Sequence, residues 1–417
     1  MRLQASFQSL LEKSIFKNKT PLQFSVNQIF HGKVSKLFPG SFAEIKLGEQ
    51  KMIAKLEVPL VNGKGYWFQV ISNDSEVKLR MLPTKLENNN GLLQYMNIPN
   101  TKTNKALLRF LQEHNIPLSK NDIAQISHLL TLSKDMEKSL QVVRMMHTHN
   151  MAFNEKIFLS LLSANKDISF TNLLASLQDA LLVERNKTDS SHKLLTHLEV
   201  MRTNNVLSGN SNLELAQMLK IAHNQTGAFY EANVLHNELN KESIQHSLKP
   251  LLVQLLQDDS ISMKTREIVE QMLYRMNGMQ IVSNDSNGFQ QLMYEVPINL
   301  AGHKTDLTMQ WSGKKTKDGT ISADFCRIIF YLDLQYVHET IVDMQVQNRI
   351  VTVNIFNENE HIKALAQPFI EPLQTGLKAI GYQLATVHFS GSQINNSKKE
   401  KKFMSVHQPY SGVDIRI

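Results

Sequence analysis

The sequence predicts a multidomain α+β protein, and two observations carry that prediction. Its 417 residues exceed what one hydrophobic core usually serves, so more than one domain is expected. The hydrophobic pattern has period two near the amino end, helical periodicity over a long middle region, and period two again after Gly278. We therefore expect a small N-terminal β-barrel of the OB or SH3-like kind, an all-α helical middle, and a C-terminal α+β domain with a sheet covered by a helix layer.

Residues 1–20 form an amphipathic N-terminal segment. Its apolar residues share one helical face and are Leu3, Phe7, Leu10, Leu11 and Ile15. This segment could be a docking helix, an export signal, or a helix that packs on its own domain. It lacks an uninterrupted apolar stretch and a small-residue cleavage site, so a cleaved secretory signal is not expected.

Residues 21–86 are predicted to form the barrel, with five short strands separated by turn residues. The chain up to Leu86 has thirteen Lys and Arg against six Asp and Glu, whereas the rest has 32 of each. Such a basic domain can attract nucleic acid, anionic lipid or an acidic protein surface. The alternative is that its charged surface only keeps the protein soluble. Five aromatic residues are candidates for stacking on bases: Phe38, Phe42, Tyr66, Trp67 and Phe68.

The Asn-rich residues 87–103 indicate a linker, and residues 104–278 indicate a helical region with repeated helix start signals. A faint internal repeat is visible here. NIPLSKNDI at 115–123 and NMAFNEKIF at 150–158 each have an Asn, an apolar pair and a polar cap before a helix. Two copies are too few for a solenoid, but they favour packed helical hairpins.

Residues 279–391 are predicted to form the C-terminal α+β domain. QLMYEVPINL and KTDLTMQWSG alternate around AGH and indicate a hairpin. In VDMQVQNRIVTVNIF, at 342–356, apolar and polar residues alternate on both sides of Asn348-Arg349, which predicts a second hairpin. Its register would place Val346 opposite Val351, with Met344 opposite Val353 and Val342 opposite Ile355.

A helix is predicted after this hairpin, capped by Asn357 or Asn359 and ended by Gly381. Pro368 and Pro372 inside it predict a kink or a break into two helices. Its apolar face contains Ile362, Leu365, Phe369, Leu373, Leu377 and Ile380. A last strand, YQLATVHF, completes the domain, and residues 392–417 form a basic tail with a KKEKK run.

No strong catalytic, cofactor or metal signature is present in the sequence, so a non-enzymatic protein with no cofactor is expected. Cys326 is the only cysteine, which excludes an internal disulfide and a cysteine-based zinc site. The sequence contains no stretch of eighteen consecutive apolar residues, so no membrane span is predicted. These features favour a cytoplasmic protein, or one exported without a cleaved signal.

The region from about Leu332 to Phe389 resembles the carboxy-terminal domain of the flagellar hook-length control (FliK-like) family. YLDLQYVHETIVDMQV is similar to the family's L-x-L-x-P-x-x-L-G-x-V-x-V stretch, and RIVTVNIFNENEHIKALAQPFIEPLQTGLKAIGYQLATVHF to its following strand, long helix, glycine and closing strand. The matching positions are Leu332, Leu334, Val342, Met344, Val351, Val353, Ile355, Leu373, Leu377, Gly381 and Leu384. The barrel and the helical middle are also similar to what accompanies this domain in some Gram-positive relatives.

The resemblance implies a protein-interaction factor that contacts the cytoplasmic domain of a flagellar-type type III export-gate protein and influences its switch of substrate specificity. We expect the contact at polar positions of the hairpin, unless these merely face water: Glu339, Asp343, Gln345, Gln347, Thr352 and Asn354. The alternative is a cytoplasmic nucleic-acid-associated protein that uses the basic barrel. A third possibility is an enzyme whose signature the sequence does not reveal.

Overall fold

The computed structural model describes residues 24–73, 77–82, 90–165, 168–184, 187–203, 220–228, 230–236, 246–286, 289–300, 302–316 and 319–391. The chain divides into two compact units, Met1–Asp167 and Ile168–Ile417. The fold is mixed α+β, with a five-stranded barrel near the amino end, helices in the middle and a large sheet near the carboxyl end. The expected amphipathic segment at 1–20 and the basic tail at 392–417 lie outside the described residues.

The barrel of the first unit closes because β1 pairs on both of its edges. The strands are β1 (Gln28–Phe38), β2 (Phe42–Leu47), β3 (Gln50–Leu56), β4 (Gly65–Ser72) and β5 (Lys78–Met81). β1 pairs with β2 and with β4, and the ring continues through β3 and β5. The β3–β5 pairing is parallel, and the other pairings in the ring are antiparallel.

The interior of the barrel is filled by apolar side chains, including Phe30, Ile45, Phe68 and Leu79, all completely buried. Gly32 of β1 lies at a close contact with β2. A Cβ at this position would lie 2.6 Å from Cγ2 of Ile45. Glycine is therefore required here by close packing between strands and not by backbone conformation.

Five α-helices follow the barrel in the described part of the first unit, and the short strand β6 (Leu118–Ser119) pairs with the start of β1. They are α1 (Asn90–Met96), α2 (Lys102–Glu113), α3 (Lys120–Leu129), α4 (Met136–Thr148) and α5 (Glu155–Ala164). The expectation of a linker over 87–103 is wrong for its described part. Leu92, Leu93 and Met96 of α1 are buried, so this stretch packs into the unit.

The faint repeat is a real structural unit, and the structure adds a third copy at Asn97. Asn97, Asn115 and Asn150 each follow a helix with positive φ. The next residue donates its N–H back into the helix, at 3.0, 3.0 and 2.8 Å respectively, which is the Schellman arrangement. In each copy the fourth residue after the Asn caps the following helix, namely Thr101, Ser119 and Asn154.

The second unit begins with helices. They are α6 (Phe170–Val183), α7 (Asp189–Thr203), α8 (Tyr230–His236), α9 (Leu248–Leu256) and α10 (Met263–Val282), with residues 220–226 also helical. Their buried core includes Leu177, Leu181, Leu252 and Val269. The predicted middle region is helical, and its helices are divided between the two compact units.

The sheet of the second unit has seven strands in the order β13-β12-β11-β10-β9-β8-β7. They are β7 (Asn284–Ser286), β8 (Phe289–Leu300), β9 (His303–Lys315), β10 (Ile321–Leu334), β11 (His338–Gln347), β12 (Ile350–Asn357) and β13 (Gln383–Ser390). Each strand from β7 to β12 pairs antiparallel with the next, whereas β13 pairs in parallel with β12.

Both predicted hairpins are present. β8 and β9 pair up to Leu300 opposite His303, and β11 and β12 have the predicted register, with Val346 opposite Val351 and Met344 opposite Val353. Asn348 and Arg349 both have positive φ, at 52° and 63°. This is the backbone of a type I′ turn, whose twist matches the flanking strands.

Helix α11 (Ile362–Ala379) connects β12 to β13. The expected break is absent, because Pro368 and Pro372 lie inside one continuous helix. The expected Asn cap is also absent. His361 precedes the helix and makes no side-chain cap, although Asn359 accepts a hydrogen bond from the N–H of His361. Gly381 ends the helix as predicted, with φ of 83°.

Candidate interaction surface

The polar residues predicted to contact a partner all lie on one face of the sheet. Side chains alternate between faces along a strand, so Glu339, Asp343, Gln345 and Gln347 of β11 share a face. Thr352 lies opposite Gln345 on β12, and Asn354 lies opposite Asp343. The sequence pattern therefore grouped these six residues on one side of the sheet, which we call the polar face.

Asp343 is not available on this face, contrary to the expectation that it is exposed. It is 5% exposed, and Arg327 of β10 donates two hydrogen bonds to its carboxylate, at 2.6 and 2.7 Å. Gln345 donates a weaker one at 3.4 Å. A desolvated carboxylate needs such partners, and Arg327 satisfies it with a bidentate pair.

The other five predicted contact residues differ in exposure. Gln347, at the end of β11, is exposed, whereas Glu339, Gln345, Thr352 and Asn354 are half-buried. Their place at a partner interface stays a prediction.

The polar face continues under helices at the β8–β9 end of the sheet. Asp306 of β9 accepts backbone hydrogen bonds from Phe170 at 2.6 Å and Thr171 at 2.9 Å, at the start of α6. Arg275 of α10 forms a buried bidentate pair with Glu295 of β8, at 2.7 and 2.8 Å. Sequence reasoning missed this cluster because its members are far apart along the chain.

Burial raises the pKa of Asp306 to about 6, helped by the negative charge of Glu295 and opposed by hydrogen bonds from Thr171. A cavity of about 390 Å³ lies beside Arg275 and Glu295 and is otherwise mostly apolar, with Met276, Met279 and Met293 among its lining residues. Arg275 and Glu295 pair with each other, and Asp306 is bound by the start of α6, so these contacts hold α6 and α10 on the sheet.

The opposite face of the sheet is apolar at its β11–β13 end. Val346, Val351 and Val353 are buried there, and Leu377 of α11 packs against this cluster together with Leu384 and Val387 of β13. Helix α11 therefore contacts the apolar face through one side of its surface.

Most of the apolar row of α11 is exposed, and the sequence pattern did not predict this. Leu365 and Phe369 are 53% and 69% exposed, and Leu373 and Ile380 are also exposed. Leu365, Phe369 and Leu373 are four residues apart and therefore neighbours on the helix, and Ile380 follows the end of the helix, two turns after Leu373. We call these four exposed side chains the α11 ridge. The sequence predicted this row as the face packed on the sheet.

Among the described residues, no group of three His, Cys, Asp or Glu side chains is placed to hold a metal ion. In the same part of the chain no helix combines the length and the apolar character needed to cross a membrane.

Comparisons with known proteins give a similarity over part of the chain. The chain is 29% identical over 142 residues to the protein named Uncharacterized protein YlqG of Bacillus subtilis (strain 168). The similarity covers 34% of this chain and 24% of that protein, so the chain matches about a quarter of the relative's length. No family model matches the chain. No solved structure matches it either.

Proposed function

We propose that this protein is a non-enzymatic interaction factor that contacts the cytoplasmic domain of a flagellar-type export-gate protein and influences substrate-specificity switching. The observation that carries the proposal is the α11 ridge. Soluble proteins bury most rows of large apolar side chains, and an exposed row marks a contact surface. Here it lies within the segment that resembles the FliK-like domain.

The connectivity of α11 supports a contact role. The helix joins the parallel strands β12 and β13 and is fixed to them by Leu377. The ridge is therefore held on a rigid element before any partner arrives, which reduces the entropy lost on binding. A helix that presents apolar residues at spacings of four can enter a hydrophobic groove of another protein.

We also propose the finer fold assignments. The closed strand order β1-β2-β3-β5-β4, with its parallel β3–β5 pairing, supports a barrel of the OB kind. The contacts of α6, α10 and α11 with the sheet support a sheet covered by helices. Both assignments fit a protein that presents separate surfaces to partners.

The test is calorimetric titration of the full chain with the purified cytoplasmic domain of the export gate from the same organism. Leu365→Ser combined with Phe369→Ser should weaken binding at least tenfold, because hot-spot apolar side chains are worth about 2 kcal/mol or more. The matched control is Lys363→Ser with Gln374→Ser, two exposed polar residues of the same helix. It should bind like the parent protein.

A third variant separates the two candidate surfaces. Gln345→Lys with Thr352→Lys alters the polar face and leaves the α11 ridge unchanged. Loss of binding in this variant alone would assign the contact to the predicted polar residues. A folded parent protein that does not bind the gate domain would reject the proposed function.

A further inference from the structure

The outer surface of β1, β2 and β3 is strongly basic. These three strands contain five lysines and one acidic residue, Glu44. The lysines are all exposed and are Lys33, Lys36, Lys46, Lys51 and Lys55. We call this surface the lysine face.

Three of these lysines stand side by side. Lys33 of β1 is paired with Lys46 of β2, which is paired with Lys51 of β3. Like charges directly opposite each other on neighbouring strands destabilise a sheet. Glu44 relieves only part of this repulsion, since it lies 3.3 Å from Lys51 and shares its carboxylate with the hydroxyl of Ser35. A row of lysines whose mutual repulsion destabilises the barrel is explained if the row binds an anion.

Rings and apolar side chains lie on the same face, beyond the lysine row. Phe38 is paired with Phe42, which is paired with Lys55. Phe38 is 40% exposed, and Lys55 places its Nζ 5.6 Å from the centre of the Phe42 ring. Ile53, between these rows, is 62% exposed. The face therefore offers positive charge and flat apolar surface within three adjacent strands.

The other predicted stacking residues are not accessible to a ligand on this face. Trp67 and Phe68 of β4 are buried, and Tyr66 is half-buried. Helix α1 lies against β4, where Tyr95 donates a hydrogen bond to Gln69 at 2.8 Å. Trp67 lies opposite His31 on the same face as Lys33 but is buried, so among the predicted stacking residues Phe38 and Phe42 are the accessible rings on the lysine face.

We propose that the lysine face binds single-stranded nucleic acid, with the phosphates along the lysine row and bases against Phe38 and Phe42. Charge complementarity selects a polyanion. The rings favour a single strand, because its unpaired bases have free faces for stacking, whereas a duplex hides them. An anionic membrane would use the lysines without needing the rings. The proposal concerns a different surface from the α11 ridge and does not depend on it.

The test is fluorescence anisotropy of the full chain with a labelled oligothymidylate of about 20 nucleotides, longer than the roughly 4–16 that one such barrel covers. Saturable binding should weaken steeply between about 50 mM and 200 mM salt. Lys33→Gln with Lys46→Gln should weaken binding at least tenfold at the lower salt. The slope of log affinity against log salt should become shallower by about 1.4, because each contacted phosphate of a single strand contributes about 0.7.

The matched control is Lys102→Gln with Lys105→Gln, which removes the same charge from exposed positions of α2 and should leave affinity within about twofold. Phe38→Ser should weaken binding about tenfold with little change in the salt slope, since stacking is not ionic. Circular dichroism confirms that each variant is folded. No binding of the folded parent protein would overturn the proposal, as would equal losses in the two lysine variants.

Sedimentation with vesicles containing phosphatidylserine tests whether the lysine face binds an anionic membrane instead. Vesicle binding that requires Lys33 and Lys46, together with no effect of Phe38→Ser on the oligonucleotide, would overturn the nucleic-acid assignment in favour of a lipid surface. A preference for a duplex over the single strand of equal length would also overturn it.

Discussion

At the scale of single residues, the Arg327–Asp343 pair should be important for the stability of the sheet. The two side chains form a bidentate contact on neighbouring strands, and Asp343 has little access to water. Asp343→Ala would remove the carboxylate that the guanidinium of Arg327 contacts in a partly desolvated site. We expect the free energy of unfolding to fall by about 3 kcal/mol, measured by urea denaturation of the full chain.

The double variant Arg327→Met with Asp343→Leu is the control for this prediction. It removes both charges together, so it should recover at least half of the loss. If the double variant is as unstable as Asp343→Ala, packing around these residues matters more than the charge pair.

Asp306 should make stability fall as pH rises through the mildly acidic range. Its pKa is raised by burial to about 6 in the folded protein, above the value of about 3.9 in an unfolded chain. The folded state therefore binds this proton more tightly. The contribution is fully present below about pH 4 and is lost by about pH 6, a change on the order of 2–3 kcal/mol.

The variant Asp306→Asn isolates this effect. The difference in unfolding free energy between parent and variant should change between pH 4 and pH 6, in addition to any effect of the substitution that does not depend on pH. Asp179→Asn, on an exposed position of α6, is the control for loss of a carboxylate. A difference that stays flat across this range for Asp306→Asn would contradict the raised pKa.

At the scale of elements, the three Asn-containing loops should be sensitive to side-chain shape. Asn150 has φ of 51°, a conformation that β-branched residues strongly disfavour. We expect Asn150→Val to destabilise the first unit by about 1–2 kcal/mol in thermal or urea unfolding. Asn150→Gly should be nearly neutral, because glycine adopts positive φ freely. Equal effects of the two variants would show that the Asn side chain, and not its backbone, matters.

The β11–β12 hairpin shows what the sequence can specify at this scale. Its register followed from alternation on both sides of Asn348-Arg349, because a shift of one residue would turn the valines to the polar face. Alternation shows which residues share a face, but not what covers that face. The burial of Asp343 was missed for this reason, since Arg327 lies on a different strand and its register with Asp343 is not visible in the sequence.

Helix α11 shows the same limit of sequence patterns, here for an apolar face. The apolar row from Leu365 to Ile380 was recognisable in the sequence, and its packing against the sheet was the natural expectation. The structure uses Leu377 for that packing and leaves most of the row exposed. Periodicity identifies an amphipathic helix, but it does not show whether the apolar side meets its own domain or another protein.

At the scale of the whole molecule, the division near residue 167 predicts where the chain can be cut. A fragment of residues 1–167 retains the barrel together with α1–α5, and a fragment of residues 168–417 retains α6–α11 with the sheet. Each contains its own buried core, so each should unfold in a cooperative transition. Calorimetry of the two fragments measures this directly.

The fragment of residues 1–103 is the comparison, because it ends where the sequence pattern predicted a linker. It lacks most of α2, where Leu107, Leu108 and Leu111 are buried. We expect it to melt at a lower temperature than the fragment of residues 1–167 or to aggregate. A fragment 1–103 as stable as 1–167 would mean that the barrel is an independent domain.

The order of strands in the large sheet has a consequence for the protein during its synthesis. Each strand from β8 to β12 pairs with the strand that precedes it in the chain, so every newly made strand meets a template that has already left the ribosome. Such local pairing loses little loop entropy and forms fast. The ring of β1–β5 must instead wait for β4 and β5 before it can close. The sheet can thus assemble in the order in which it is translated, with α11 and then β13 added last.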